Sequence, residues 1–411
     1  MAPAGSWESL HAALNAGANS IYFGAGDLQM RSKSAAFKVE DIAEVCRLAH
    51  EKNVRAYLTL NTVIYDSEYN EVDRILNACG PAKLDAVIAA DPYVLESANQ
   101  KKVPIHISTQ ANVSNISGVR MYANYGDVIV LARELKLEQI QRIISQIEGQ
   151  NIRGPKGELI RIEVFAHGAL CVAIAGKCYM SLAQHDTSAN RGDCYQTCRR
   201  KYEVTDKETG FAYEIDNQWV MSPKDLCTLP MLDRILDAGV KVLKIEGRGR
   251  APDYVHTVVS SYRKAIDAWS ADKFGETLVN AEMAQLSTVF NRGFWEGGYY
   301  LGEKTDPWTQ SGGSQATLTK TFIGTVEKYY SKAGVAQVVL NAGDYQLGTR
   351  LIITGTTTGV VETTPNSFQV DDVETNVAPQ RSVMTFKLSE KVRPKDKVYA
   401  LTDSEFAQSR M

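Results

Sequence analysis

Short apolar runs alternate with amphipathic helical patterns through the first two thirds of this 411-residue chain. The helical patterns include Val39–Lys52, Asn70–Cys79 and Leu137–Ile147. Such alternation is typical of a parallel sheet, and strands that are apolar almost throughout fit a sheet buried on both faces. Eight strands predict an α/β fold, a (β/α)8 TIM-like barrel, with an open doubly wound sheet as the alternative. The predicted strands are Ala2–Ala4, Ser20–Phe23, Val54–Leu60, Ala86–Ala90, Pro104–Ser108, Asp127–Ala132, Ile160–Ala166 and Val240–Glu246.

The last quarter of the chain has a different pattern. Short β-rich runs recur between turn residues, which predicts a small antiparallel β-barrel at 318–411. The runs are Phe322–Val326, Gly334–Leu340, Arg350–Thr354, Ser367–Val370, Met384–Lys387 and Lys397–Leu401. We expect a barrel domain at 1–275 and a helical and aromatic connector at 276–317, which includes a flexible linker at Thr309–Gln315.

Four of the seven cysteines fall within 28 residues, in the spacing Cys-x6-Cys-x15-Cys-x3-Cys. They are Cys171, Cys178, Cys194 and Cys198, and they belong to an insertion at about 169–220 that follows the seventh predicted strand. Four thiolates can hold a soft metal or an iron–sulfur cluster. The irregular gaps favour a cluster over zinc, while buried thiols or two disulfides are the simpler alternatives. Cations at Arg191, Arg199, Arg200 and Lys201 would partly offset the thiolate charge, or form a solvated face.

The other three cysteines, Cys46, Cys79 and Cys227, lie among apolar residues, so we expect them in the core.

Polar residues follow nearly every predicted strand. In a barrel these ends meet at one mouth, where a small-molecule site is expected, although any single one could simply cap a loop. The candidates for substrate binding are Arg31, Asn61, Gln110, Asn112, Arg133 and Arg248. The candidates for catalysis are Glu163, His167 and Glu246.

The composition is that of an ordinary globular protein, with 44% hydrophobic and 23% charged residues. The start shows no signal peptide, and no apolar run approaches the roughly 20 residues that span a bilayer, so we expect a cytoplasmic protein. A net charge of −3 gives no overall basic surface for nucleic acid. Any RNA-binding surface must therefore be local.

No serine-hydrolase, zinc-peptidase or phosphate-loop motif is present in the sequence. His167 and Cys171 are four residues apart, a weak indication of a thiol nucleophile.

The stretch from Glu163 to Ser181 matches E-x-F-x-x-G-A-L-C-x4-G-x-C-x-M-S at every defined position, and on these residues the chain resembles peptidase family U32. The opening Ala2-Pro-Ala-Gly, the Gln110-Ala-Asn112 turn, Arg133-Glu134-Leu135 and Lys244-Ile-Glu-Gly-Arg248 match too. The resemblance therefore covers essentially the whole chain.

The resemblance implies iron–sulfur hydroxylation rather than peptide hydrolysis. Relatives of this kind use four cysteines for a [4Fe-4S] cluster and prephenate in place of molecular oxygen. The Cys194-x3-Cys198 pair and the terminal barrel are most similar to the branch that makes 5-hydroxyuridine at the tRNA wobble position. Hydroxylation of a ribosomal RNA cytidine, a collagenase-like peptidase and a binding module with a structural cluster stay open as alternatives.

Prephenate carries two carboxylates, which arginine forks bind well. We therefore expect Arg31, Arg133 and Arg248 to bind it. For tRNA we expect a local basic and aromatic strip that starts at Arg199–Lys201 and passes Arg248 and Arg250. It ends at the terminal barrel with Lys328, Tyr329, Tyr330 and Lys332, although these aromatics could instead be barrel packing.

Overall fold

The computed structural model describes residues 1–30, 37–213, 221–302, 307–309 and 312–408. Arg31 lies outside the described residues. The first part of the chain forms a mixed sheet of ten strands, eight of which run parallel in the predicted order. These eight are β1 (Ala2–Ala4), β2 (Ser20–Phe23), β3 (Arg55–Thr59), β4 (Ala86–Ala89), β5 (Ile105–Ile107), β6 (Val128–Val130), β7 (Arg161–Ala169) and β11 (Val242–Ile245). The α/β class and the parallel sheet are confirmed.

Helices follow most of these strands and bury an apolar face against the sheet. In α2, for example, Ile42, Val45, Cys46 and Ala49 are buried, at the i, i+3, i+4, i+7 spacing of one helical face. The helices of this part are α1 (Trp7–Asn15), α2 (Ile42–Glu51), α3 (Tyr69–Cys79), α4 (Pro92–Gln100), α5 (Ile116–Tyr122), α6 (Leu137–Gly149), α7 (Met180–His185), α8 (Leu232–Asp237), α9 (Pro252–Ser270) and α10 (Glu276–Ser287).

Two short strands that the sequence pattern did not predict extend this sheet beside β7. They are β10 (Asp225–Cys227), which runs antiparallel to β7, and β12 (Phe294–Glu296), which runs parallel to β10. The predicted connector at 276–317 therefore contributes a strand to the first sheet. A separate hairpin, β8 (Val204–Thr205) and β9 (Ala212–Tyr213), lies in the stretch after the cysteines.

Met1 links the first and last parallel strands. Its amino group donates to the Leu243 carbonyl at 2.6 Å, and the Ile245 amide donates to the Met1 carbonyl at 3.1 Å. Beneath the strands lies one large hydrophobic core, which includes Cys46, Cys79 and Cys227 as predicted.

The terminal part is an antiparallel sheet of eight strands around its own core, with a small two-stranded sheet beside it. Its elements are β13 (Leu318–Tyr330), β14 (Val335–Val339), β15 (Tyr345–Gln346), β16 (Arg350–Gly355), β17 (Gly359–Thr363), β18 (Gln369–Val370), β19 (Val373–Glu374), β20 (Val377–Ala378), β21 (Val383–Lys387), β22 (Lys397–Asp403) and α11 (Glu405–Gln408). All six predicted runs contain a strand. The predicted domain boundaries at 275 and 317 stay predictions.

The terminal sheet packs on α1 and α9 of the first part. Ala12 of α1 is buried against Ile352 and Val360. Near the start of α9, Asp253 forms an ion pair with Lys320 at 2.6 Å. The terminal part therefore lies along the outside of the first sheet.

The direction of β13 can be read from two contacts. Lys320 lies near Asp253, at the helix end that follows the carboxyl end of β11. In the turn between β16 and β17, the Thr358 carbonyl accepts from Asn15. Asn15 is the last residue of α1, at the end of that helix remote from the carboxyl ends of the parallel strands. The strand β13 runs from the first contact toward the second, so Tyr330 lies on the far side from the carboxyl ends of the parallel strands.

No helix in the described ranges is long and apolar enough to cross a membrane.

The contact between α1 and the terminal sheet can be tested at Gly359. Its φ is +72°, and a Cβ would lie 2.8 Å from the Ala12 amide nitrogen. Gly348 has φ +90°, but no atom lies within 4 Å of the position a Cβ would take. An alanine there would therefore add backbone strain without a steric clash. We expect Gly348→Ala to cost about 1 kcal/mol in the free energy of unfolding and Gly359→Ala about 2 kcal/mol more. Urea denaturation measures both free energies of unfolding, and equal losses would contradict the close packing of Gly359 on α1.

Candidate functional site: a cationic cavity lined by four cysteines

A cavity of about 410 Å³ lies at the carboxyl ends of the parallel strands. Its walls come from the residues that follow β3, β5, β6, β7 and β11, together with the cysteine-rich stretch after β7. Nine of the predicted site residues line it: Asn61, Gln110, Arg133, Glu246, Arg248, Cys171, Cys178, Cys194 and Cys198. The fold thus brings together residues spread over nearly two hundred positions of sequence.

The four cysteines are unpaired and line the same cavity. Backbone amides of Ala173 and Met180 donate to the sulfurs of Cys171 and Cys178, each at 3.4 Å. Burial raises the pKa of the Cys198 thiol, Arg199 beside it lowers that pKa, and the three other cysteines raise it. The four sulfurs are therefore close enough to interact electrostatically.

The donor set suits a soft metal or an iron–sulfur cluster. It offers four sulfurs from separate turns of one loop region, two of which already accept amide hydrogen bonds. Within the described ranges, no three His, Cys, Asp or Glu side chains are grouped closely enough to hold a single metal ion as they stand.

Cys46, Cys79 and Cys227 differ from this set in their environment. Each is buried, and burial raises the pKa of each thiol to about 12. They stay protonated at neutral pH and serve as apolar packing.

The cavity carries an excess of positive charge. Among the described residues, five cationic side chains line it, against one acidic residue, Glu246. The cations are Arg133, Arg199, Lys244, Arg248 and Arg250. An anionic ligand would therefore be bound favourably here.

Arg133 and Lys244 lie near the same aromatic ring. The Arg133 guanidinium stacks 3.7 Å from the centroid of Phe165, and the Lys244 ammonium lies 5.5 Å from it. The Arg133 Nε is buried and has no hydrogen-bond partner among the described residues. A half-buried guanidinium in the cavity wall is suited to bind an anionic ligand oxygen.

Arg248 lines the cavity, and its guanidinium is already bonded to other residues of the chain. Its guanidinium donates to Gln29 Oε1 at 2.6 Å, to Thr59 Oγ1 at 2.8 Å and to the Met30 carbonyl. These bonds hold the segment after β2 against β3. Its predicted role in substrate binding stays a prediction, and the observed contacts are structural.

Glu163 does not line the cavity. Its side chain is fully buried in the sheet interior, and Lys244 Nζ lies 3.1 Å from Oε1. The approach has ion-pair distance but not hydrogen-bond geometry, since neither carboxylate oxygen accepts a hydrogen bond in the described parts of the chain. Glu163 can therefore influence the cavity through Lys244, which sequence reasoning missed as a site residue. The signal was present, because Lys244 interrupts an otherwise apolar strand.

His167 also lies away from the cavity. A register shift between β7 and β11 falls just before it, and its ring packs against Tyr254, Tyr262 and Phe294. Burial, and to a lesser extent Arg250, lowers the pKa of His167 to about 3. The neutral imidazole is thus part of the core between β7 and α9, and a catalytic role for it stays a prediction.

Asn112 is not among the lining residues either. It adopts a left-handed conformation with φ +53°, and its buried Oδ1 has no partner in the described ranges. Gln110 Oε1 accepts from the Ser108 hydroxyl, and Glu246 Oε2 accepts from Tyr22 at 3.3 Å.

Exposed aromatic side chains lie in the segments that contribute lining residues to the cavity. Tyr179 and Tyr195 of the cysteine-rich stretch are 80% and 44% exposed, and Tyr65 after β3 is 55% exposed. Arg191 ties the two segments together, since it donates to the Glu68 carboxylate and the Val63 carbonyl. Arg191 is thus already paired and does not serve as a free charge near the cysteines.

The predicted strip toward the terminal part is not continuous. The Tyr329 hydroxyl donates to the Leu388 carbonyl at 3.0 Å, and its ring packs on the terminal core. Tyr330 donates to Gln337 and lies on the far side of the chain from the cavity. For Tyr329 the alternative interpretation, packing within the terminal part, therefore holds.

The burial of His167 predicts a pH dependence of stability. The pKa of the folded state lies below the usual 6.5, so the stability contribution is complete above pH 6.5 and is lost as the pH falls toward 3. Between pH 7.5 and pH 5.5 this histidine alone should cost about 1 kcal/mol. We expect His167→Phe, which keeps the ring packing, to reduce the loss by that amount in urea denaturation at the two pH values. An unchanged pH dependence would show that His167 takes up a proton as readily in the folded protein as in the unfolded chain.

Comparison with known proteins places this architecture in one family. A model of peptidase family U32 matches residues 5–310. A collagenase of Porphyromonas gingivalis is 46% identical over 408 residues, or 98% of each chain. The tRNA hydroxylation protein P1 of Bacillus subtilis is 34% identical and covers 72% of this chain and 70% of its own. The 23S rRNA 5-hydroxycytidine C2501 synthase of Escherichia coli is 35% identical, over 61% of this chain and 36% of its own. The chain belongs to peptidase family U32.

Proposed function

We propose that this protein is an iron–sulfur enzyme that hydroxylates the wobble uridine of tRNA to 5-hydroxyuridine with prephenate as co-substrate. The observation that carries the proposal is the joint lining of one cavity by four cysteines and five cations. Relatives whose names describe tRNA and rRNA hydroxylation support RNA as the substrate. The protein would act in the cytoplasm, where tRNA is found.

The catalytic part is proposed to be a closed eight-stranded barrel. The two hydrogen bonds of Met1 to the last parallel strand support closure between β1 and β11. The stretch at about 169–220 is then an insertion at the mouth, and the terminal sheet is a separate small barrel.

A [4Fe-4S] cluster would be held by Cys171, Cys178, Cys194 and Cys198, with zinc as the alternative. When bound, the cluster supplies one-electron redox chemistry. The amides of Ala173 and Met180 would strengthen the thiolate form of two ligands, because a hydrogen bond to the charged form favours it.

Two cations of this chain are suited to the two carboxylates of prephenate. Arg133 offers a guanidinium stacked on Phe165, and Lys244 offers an ammonium 5.5 Å from the centroid of the same ring. Glu163 holds Lys244 in place, since the carboxylate lies 3.1 Å from Nζ. These residues bind and orient the co-substrate, while the walls of the cavity limit its access to water.

The base must leave its stack to reach the cavity. Unstacking costs a few kcal/mol and is cheapest in a single-stranded loop such as an anticodon. The exposed rings of Tyr65, Tyr179 and Tyr195 could stack with neighbouring bases, each contributing about 1–3 kcal/mol. This arrangement supports a loop rather than a duplex as the substrate.

A U32-type peptidase is the second candidate, because the collagenase relative is similar over almost its full length. Peptide hydrolysis requires an activated nucleophile or a metal-bound water. His167, the nearest histidine to Cys171 in sequence, is turned into the core and is not placed to activate that thiol.

The function is tested by mass spectrometry of tRNA nucleosides from a strain that lacks the gene. We expect 5-hydroxyuridine and nucleosides derived from it to disappear, and to return with the wild-type protein or with Cys79→Ala. Cys171→Ala should restore neither the modification nor the iron and visible absorption of anaerobically purified protein. Thermal melting must show that the variant folds. Unchanged tRNA in the deletion strain, together with gelatin cleavage by the purified protein, would favour the peptidase.

The prephenate site is tested with Arg133→Lys, which keeps the charge and removes the planar fork. We expect the prephenate concentration for half-maximal hydroxylation to rise about tenfold, with iron content unchanged. Arg142→Lys, on the exposed face of α6, is the matched control. Equal behaviour of the two variants would remove Arg133 from the site.

A further inference from the structure

A buried carboxylate lies beside the cysteine-rich loop and gathers arginines around it. Asp225 is 1% exposed and pairs with Ala169 in the ladder between β7 and β10. Its carboxylate lies 3.4 Å from the Arg292 guanidinium and 4.0 Å from that of Arg250. The two guanidiniums also stack on Phe290, at 5.0 and 3.8 Å from the ring centroid.

A third arginine joins this group from the side of the cysteines. Arg199 follows Cys198 directly and donates to the Ser222 hydroxyl at 3.0 Å and to the Leu170 carbonyl at 2.5 Å. Leu170 precedes Cys171, so the Arg199 guanidinium connects the backbone next to Cys171 with the chain next to Cys198. We call Asp225, Arg199, Arg250 and Arg292 the Asp225 group.

The Asp225 group carries unbalanced charge. Three guanidiniums and one carboxylate give two net positive charges, in a region where Arg250 and Arg292 are 17% and 14% exposed. Glu246 is the other carboxylate near Arg250, and Arg248 in the same loop offsets it. The three arginines are partly buried, so a nearby anion would stabilise them.

The cysteines are the groups placed to supply that anion. Asp225 pairs with Ala169, two residues before Cys171, and Arg199 directly follows Cys198, so the Asp225 group lies next to two of the four thiols. A [4Fe-4S]²⁺ cluster with four thiolates carries about two negative charges in formal terms. The net charge of the Asp225 group would balance it.

We propose that the Asp225 group is the counter-charge of the iron–sulfur cluster and raises its reduction potential. The inference rests on the proposed function. Positive charge beside a cluster favours the reduced form, which carries one more electron. Arg292 is outside the cavity lining, so it is suited to act on the cluster and not to bind the co-substrate.

The test uses two substitutions with opposite expected signs. The purified holoprotein is poised with dithionite and mediator dyes at the midpoint potential of the wild type, and the reduced fraction is read by electron paramagnetic resonance. We expect Asp225→Asn to raise the ratio of reduced to oxidised cluster about threefold to tenfold, and Arg292→Gln to lower it by a similar factor. Arg263→Gln, whose partner Asp267 lies on the same outer helix, is the control and should leave the ratio unchanged.

A second pair guards against variants that fail to fold. Arg250→Lys keeps the charge and should leave the ratio near that of the wild type, whereas Arg250→Gln should lower it. Shifts of the same sign in Asp225→Asn and Arg292→Gln, or none beyond the control, would overturn the proposal. The proposal would also be overturned if Arg292→Gln changed the prephenate concentration for half-maximal hydroxylation but left the ratio of reduced to oxidised cluster unchanged. Wild-type protein without iron after anaerobic reconstitution would instead refute the proposed function itself.

Discussion

The site depends on the length of β7. This strand has nine residues where the other parallel strands have three to five, so its carboxyl end projects beyond its neighbours. The backbone groups of the projecting part need partners, and other elements supply them. The Ala166 carbonyl accepts from the Thr228 amide and from the Tyr262 hydroxyl, at 3.0 and 2.9 Å. At Gly168, with φ +108°, a Cβ would lie 2.5 Å from the Glu246 carbonyl, so the close approach of the β11 loop requires glycine. The projection leads directly into Cys171.

The strand β10 has a second consequence, because it brings Asp225 and its arginines to the edge of the cysteine-rich loop. Without this antiparallel strand, the arginines beside the thiols would lack the buried carboxylate that anchors them. Fold and electrostatics are coupled here: the same ladder that satisfies the backbone of β7 also fixes positive charge where thiolate charge would develop. A cavity at a strand mouth thereby becomes one suited to anions.

The sequence was sufficient for the parallel strands and the cysteine set, and insufficient for contacts that depend on register. Apolar runs predicted all eight parallel strands, since burial on both faces leaves a clear signal. The short β10 and β12 carry no such signal, and β17 begins at a glycine after a threonine-rich turn that conceals it. The position of His167 depends on the register shift beside it, and Arg248 is occupied by partners from β3 and the segment after β2. Neither outcome can be read from local pattern.

The position of the terminal part limits how substrate could be recognised. Its packing on α1 and α9 leaves the cavity mouth to the residues after β3 and the cysteine-rich stretch. The β13 end that carries Tyr330 points away from that mouth, and the ring of Tyr329 is committed to the terminal core. Contacts that select the reacting group must therefore come from the cavity itself and from the exposed rings of Tyr65, Tyr179 and Tyr195. Contacts with the terminal part would instead involve regions of a large substrate that are distant from the reacting group.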